Sequence, residues 1–162
     1  MSDYFAEKEL GEFVVVATDV GITKRARDLA ARLDMPLAII EKRRVGNVDE
    51  AETLTVIGDV EGMPALLVDD EVDTGGSLSN AASTLREYGS TEIYACCTHP
   101  ILSGSGAQRI ASSLLEELVV TDTVPVPDEK KIDKMTVLSM SSLIGEAIHR
   151  IHAGLSVGAM FQ

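Results

Sequence analysis

Five short runs of almost unbroken apolar residues, set between amphipathic stretches, constrain this chain more than any other feature. They fall at 13–17, 37–40, 65–68, 93–97 and 118–121, and are built mainly from Val, Leu, Ile, Ala and Cys, with Phe13, Tyr94 and Thr121 the exceptions. Runs of four or five apolar residues without polar alternation suit strands covered on both faces, as in a parallel sheet. Between them the spacing predicts helices over about 23–33, 77–88 and 105–114. In the first, Ala26, Leu29, Ala30 and Leu33 recur at i, i+3, i+4, i+7 and the basic residues turn outward. A last helix, about 141–153, carries Leu143, Ile144, Ala147, Ile148 and Ile151 on one stripe. Strands alternating with helices read as a doubly wound, mainly parallel α/β domain flanked by helices. At 162 residues the chain is long enough for one domain and too short for two.

Three segments fit the alternation less simply. Residues 2–12 look like the last turns of a helix entering the first strand, as if something preceded them. Residues 41–54, EKRRVGNVDEAETL, read as a polar and mobile loop, followed by a short strand at 55–57. Residues 122–134 read as a surface connection.

Composition narrows the function classes. Twenty-six acids against 14 bases give a net charge of −12, which argues against nucleic acid as a general partner. Yet Lys24, Arg25, Arg27, Arg32, Lys42, Arg43 and Arg44 bring seven of those bases into one segment, which suits a small anionic ligand. No apolar run reaches the roughly 20 residues that span a bilayer, and the amino terminus lacks a signal-peptide pattern. A soluble, cytoplasmic protein is expected, with no membrane partner. The only cysteines, Cys96 and Cys97, are adjacent in an apolar stretch and read as buried thiols. His99, beside a strand end, and His149 and His152, on the last helix, read as structural.

The chemistry lies in residues 65–77, ALLVDDEVDTGGS. An apolar strand ends in Asp69 and Asp70, and Asp73, Thr74, Gly75, Gly76 and Ser77 then lead into a helix. In an open α/β sheet, ligands bind at the carboxyl ends of strands. Two glycines let successive N–H groups converge, Ser77 can cap the helix, and the helix dipole favours an anion. One phosphate is the natural occupant. Carboxylates repel phosphate, so Asp69 and Asp70 make sense if they accept hydrogen bonds from adjacent sugar hydroxyls. A sugar phosphate satisfies both halves.

VDDEVDTGGS resembles the ribose 5-phosphate loop of the type I phosphoribosyltransferase fold, and specifically that of ribose-phosphate pyrophosphokinases (PRPP synthetases). Similar blocks run along nearly the whole chain: VVVATDVG (14–21), AIIEKRR (38–44), VIGDVEG (56–62), YACCTHPILSG (94–104), ELVVTDTVP (117–125) and EAIHRIHAGLSVGAMF (146–161). The resemblance implies Mg2+-dependent transfer of pyrophosphate from ATP to ribose 5-phosphate, giving PRPP and AMP, in nucleotide biosynthesis. By matching motifs, it implies that Asp73, Thr74, Gly75, Gly76 and Ser77 hold the 5-phosphate. Asp69 and Asp70 would take the ribose hydroxyls, directly or through magnesium. Lys42 and Arg44 would be catalytic, Arg44 also touching substrate, and Asp19 would bind the metal. The chain departs from the family pattern at Ile22, at Val45-Gly46 and at Glu71.

The resemblance also implies a missing amino-terminal half that supplies much of the ATP site. The chain then reads as one carboxy-terminal domain, inactive alone and part of a homo-oligomer at full length. Two other functions stay open on the residues: a phosphoribosyltransferase that consumes PRPP, and a non-catalytic regulatory homologue.

Overall fold

The computed structural model describes residues 1–8, 10–43 and 53–161. It contains helices α1 (Ser2–Glu7), α2 (Thr23–Leu33), α3 (Gly76–Glu87), α4 (Gly106–Ala111) and α5 (Ser141–His152). Its strands are β1 (Val14–Ala17), β2 (Leu37–Arg43), β3 (Thr53–Ile57), β4 (Ala65–Val72), β5 (Ile93–Pro100), β6 (Glu117–Thr121) and β7 (Met135–Leu138). They form one seven-stranded sheet in the order β3-β2-β1-β4-β5-β6-β7. All neighbours are parallel except β2 and β3. The chain leaves β1 toward β2 on one side and later returns to place β4 on the other. The junction of β1 and β4 is therefore the topological switch point, where a crevice opens beyond the strand ends.

Why these runs became central strands is visible in their burial. Val14 to Ala17 and Ala65 to Leu67 are completely inaccessible, with alternate residues feeding two separate cores. Val14, Val16, Ala65 and Leu67 pack with Leu78, Ala81 and Leu85 of α3. Val15, Ala17, Leu66 and Val68 pack with Phe5 of α1 and Ala26 and Ala30 of α2. Cys96 and Cys97 obey the same alternation, one in each core, which separates their thiols. Burial pushes the Cys96 thiol up to about 12 and raises Cys97 as well, so neither is a thiolate at neutral pH.

Several boundaries differ from the sequence reading. Residues 41–43 belong to β2 rather than to a loop, because Glu41 and Lys42 pair with Thr55 and Leu54 of β3. Strands β4 and β5 outrun their apolar cores, keeping Asp69 opposite Cys97 and Glu71 opposite His99. β7 falls at 135–138, between the expected connection and the last helix, where the sequence reading places no strand; it is short and only partly buried. α4 stops at Ala111, where the hydroxyls of Ser112 and Ser113 bond carbonyls of the last turn. The α5 stripe does not join the core: Ile144, Ile148 and Ile151 are each more than half exposed. Among the described residues no helix is long and apolar enough to cross a membrane.

α1 is fastened to the far end of the sheet by one carboxylate. Glu117 accepts from Tyr4 Oη at 2.6 Å and from Thr136 Oγ1, and Lys8 Nζ lies 2.8 Å from its other oxygen. Burial alone would raise the Glu117 carboxyl, but these donors outweigh it and hold it below its ordinary value. Such a group stabilises the fold fully above the unfolded value near 4.5, and that contribution fades as pH falls through the lowered folded value. Glu117→Gln is expected to cost about 2 kcal/mol at neutral pH, in line with hydrogen bonds to a charged group. Urea midpoints of the two proteins should converge below pH 4.5; a gap independent of pH would show that the charge is irrelevant.

Candidate functional site

At the switch point a cavity of about 350 Å³ is lined by Asp19, Lys42, Asp69, Asp70 and the whole loop from Asp73 to Ser77. Nine of the ten residues singled out from sequence thus meet in one place. The tenth, Arg44, lies outside the described residues. Each of the nine is positioned by an identifiable element. Asp19 follows β1, Lys42 stands near the end of β2, and Asp69 and Asp70 ride on β4. The loop fills the turn between β4 and α3.

Asp69 is held on both oxygens. Thr18 Oγ1 donates to one at 2.9 Å, and the Asp70 N–H donates to the other at the same distance. Thr18 is itself buried at the end of β1, so β1 and β4 are cross-linked where they frame the crevice. Burial raises the Asp69 carboxyl above its ordinary range despite these donors. A cation or hydroxyl donor beside it would lower the carboxyl again, since either favours the charged form. Asp70 is exposed and faces Arg25 of α2 at 3.5 Å. Asp19 accepts the Ile22 N–H at 3.1 Å, and Ile22 is buried in the core shared with α2. Ile22 thus anchors the turn carrying Asp19.

The loop differs from expectation in its cap. Ser77 does not cap α3: the helix starts at Gly76, and Gly75 stands before it in the left-handed conformation, φ +73°, with no side-chain cap bond. A glycine takes that conformation without the steric cost of a Cβ, so the chain turns before Ser77 is reached. The amides of Gly76, Ser77 and Leu78 open the helix and have no carbonyl four residues back to bond, Ser79 being the first to reach Gly75 O. α3 is 12 residues long, and its positive end points at the loop.

Two contributors escaped the sequence reading. Gly106 and Arg109 of α4 stand behind the loop: a Cβ on Gly106 would sit 2.5 Å from Asp73 O, and Arg109 donates to Thr74 O at 2.8 Å. Their segment, SGSGAQRI, carries no local mark of either contact. Thr18 also escaped, since nothing in TDVG marks its hydroxyl for Asp69. His99 bonds Thr123 Oγ1 at 2.9 Å, while His149 and His152 lie on the exposed face of α5.

A doubly wound sheet with a glycine-led loop and paired acids at its switch point defines a phosphoribosyltransferase-type domain. The structure of purine phosphoribosyltransferase from Pyrococcus horikoshii shares this fold, with a TM-score of 0.54 at 19% identity over 85% of the chain and 80% of that protein. A much nearer likeness is phosphoribosylpyrophosphate synthetase from Mycobacterium smegmatis: TM-score 0.87 and 34% identity over 94% of the chain and 49% of that protein. Residues 44–162 match the phosphoribosyl synthetase-associated domain. Ribose-phosphate pyrophosphokinase 1 of Listeria monocytogenes is 48% identical over the whole chain, which covers 51% of that relative. The chain belongs to the ribose-phosphate pyrophosphokinase family, and it spans about half the length of the relatives it matches.

Proposed function

We propose that this chain is the ribose 5-phosphate-binding, carboxy-terminal half of a ribose-phosphate pyrophosphokinase, which makes PRPP and AMP from ATP and ribose 5-phosphate. One observation carries the reading: free helix-start amides and two strand-borne acids, 73–77 and 69–70, line the same cavity. The 5-phosphate sits on the loop and the ribose hydroxyls reach Asp69 and Asp70. That orientation leaves the sugar's O1 free to meet Lys42, a cation that lines the same cavity. Phosphoryl-type transfer is mainly positioning and charge stabilisation, for which Lys42, with Arg44 beyond it in sequence, is suited.

The acids suit Mg2+. The described residues hold no group of three or more His, Cys, Asp or Glu side chains able to bind a metal by themselves. A magnesium ion commonly takes one or two carboxylates and completes its shell with water and substrate oxygens. Asp19, with Asp69 or Asp70, would hold it, and it would neutralise charge on the ligand oxygens. ATP would be bound largely by residues outside these 162, so the chain alone binds sugar phosphate and makes no PRPP.

The experiment is a pair of measurements on the purified chain. Ribose 5-phosphate and inorganic phosphate should both shift the amide resonances of Gly75, Gly76 and Ser77, and only the sugar phosphate should move the Asp69 carboxyl resonance. Incubation with MgATP and ribose 5-phosphate should yield no PRPP. Loop amides that ignore both ligands would overturn the binding reading, and robust PRPP synthesis would overturn the account of the ATP site.

A further inference from the structure

We propose that Arg109 is a positioning residue for the phosphate loop, fixing the Thr74–Gly75 peptide so that the Gly75 N–H faces the bound phosphate. The inference rests on the phosphate site proposed above and concerns what keeps it competent.

The argument starts from peptide geometry. No cis peptide bond occurs in the described chain, and a trans peptide points its C=O and N–H in opposite directions. Thr74, Gly75 and Gly76 line the cavity, while Arg109 does not. The Thr74 carbonyl is turned to the Arg109 guanidinium at 2.8 Å, on the side of the loop that faces α4. The N–H of the same peptide therefore points the other way, into the cavity. Among the described residues no acceptor holds that N–H, which leaves it free for a ligand.

A lock is needed here because this peptide is easily turned over. Gly75 has no Cβ to resist rotation about the bonds flanking it, and a flipped plane would aim the carbonyl at the phosphate. Such a flip would exchange an attractive donor for a repulsive acceptor at the same spot. α4 opposes it from behind with two contacts three residues apart, hence on one helix face. Gly106 lets the helix press against Asp73 O, where even a Cβ would come within 2.5 Å. Arg109 then takes the next carbonyl along. Its guanidinium nitrogen also lies 3.4 Å from the place a Gly76 Cβ would occupy, so it follows the loop closely. Arg109 is an exposed side chain outside both core clusters, so its replacement leaves the packing of the domain intact.

The test compares Arg109→Met and Arg109→Lys with the unsubstituted chain, titrated with inorganic phosphate and followed by calorimetry and amide resonances. Arg109→Met, which keeps length and loses donors, should weaken phosphate about tenfold or more, the scale of one hydrogen bond to a charged group. Its Gly75 amide should no longer respond to phosphate, while Gly76 and Ser77 still do and the melting midpoint is unchanged. Arg109→Lys should restore most of the affinity and the Gly75 response. Met-variant affinity equal to the unsubstituted chain overturns the inference, with the phosphate site left standing. So does weakened affinity with a normal Gly75 response, which would make Arg109 a remote attracting charge. Failure of the unsubstituted chain to bind phosphate removes the proposed site and this inference together.

Discussion

Gly75→Val is expected to abolish detectable phosphate binding and to lower stability by about 3 kcal/mol, and both effects come from the back of the loop. A β-branched residue at φ +73° costs roughly 1–2 kcal/mol in conformation alone. Its Cβ would meet Gly106 O at 3.1 Å and the Ile110 side chain at 3.2 Å, an overpacking that typically costs about 1–3 kcal/mol more. In a chain of this length that total shifts the melting midpoint by roughly 10 °C. To relieve the clash the loop must move away from α4, which scatters the amides that converge on the anion. Losing two charge-assisted hydrogen bonds weakens phosphate by about a hundredfold or more. Gly106→Ala, pressing from the helix side against Asp73 O, should produce the same pair of effects. A phosphate titration unchanged in Gly75→Val would sink the loop assignment. Lost binding with a normal melt would mean instead that the new side chain simply blocks the ligand.

What the residues announced and what they concealed divide along a physical line. Central strands were legible because burial on both faces demands uninterrupted apolar residues, as in FVVVA and ALLV. The phosphate loop was legible because its chemistry is local: acids, glycines and hydroxyls within nine residues of one strand end. Contacts made between segments distant in sequence left no local mark. Thr18 reaches Asp69 across 51 positions and Arg109 reaches Thr74 across 35, and neither residue is marked by its own neighbours in sequence. Edge strands were concealed for another reason. β7 is a four-residue edge strand and only partly covered, and the outer part of β2 pairs with the edge strand β3, where polar residues such as Lys42 are tolerated and the apolar signal fades. The α5 stripe shows the converse, an apolar period that foretells a helix without saying whether this chain buries it.

Placing Lys42 on a paired strand sharpens what its removal should do. Lys42→Ala, made in a full-length enzyme carrying these residues, is expected to lower turnover about a hundred- to a thousandfold. That is the scale of losing one preorganised electrostatic contact, about 3–4 kcal/mol in the transition state. The Michaelis constant for ribose 5-phosphate should change little, because the phosphate loop and Asp69 hold the sugar without Lys42. Stability should also change little. The residue is exposed, and its backbone stays paired with Leu54 whatever the side chain. An exposed substitution of this kind usually moves stability by less than about 0.5 kcal/mol. Its location near the end of β2 makes the interpretation cleaner than for a residue in an unpaired loop, since pairing with β3 fixes its backbone and the residue already lines the cavity. Steady-state kinetics and a thermal melt on the same variant separate the possibilities. A raised Michaelis constant at normal turnover would reduce Lys42 to ground-state binding, and a large fall in melting midpoint would make it a structural residue.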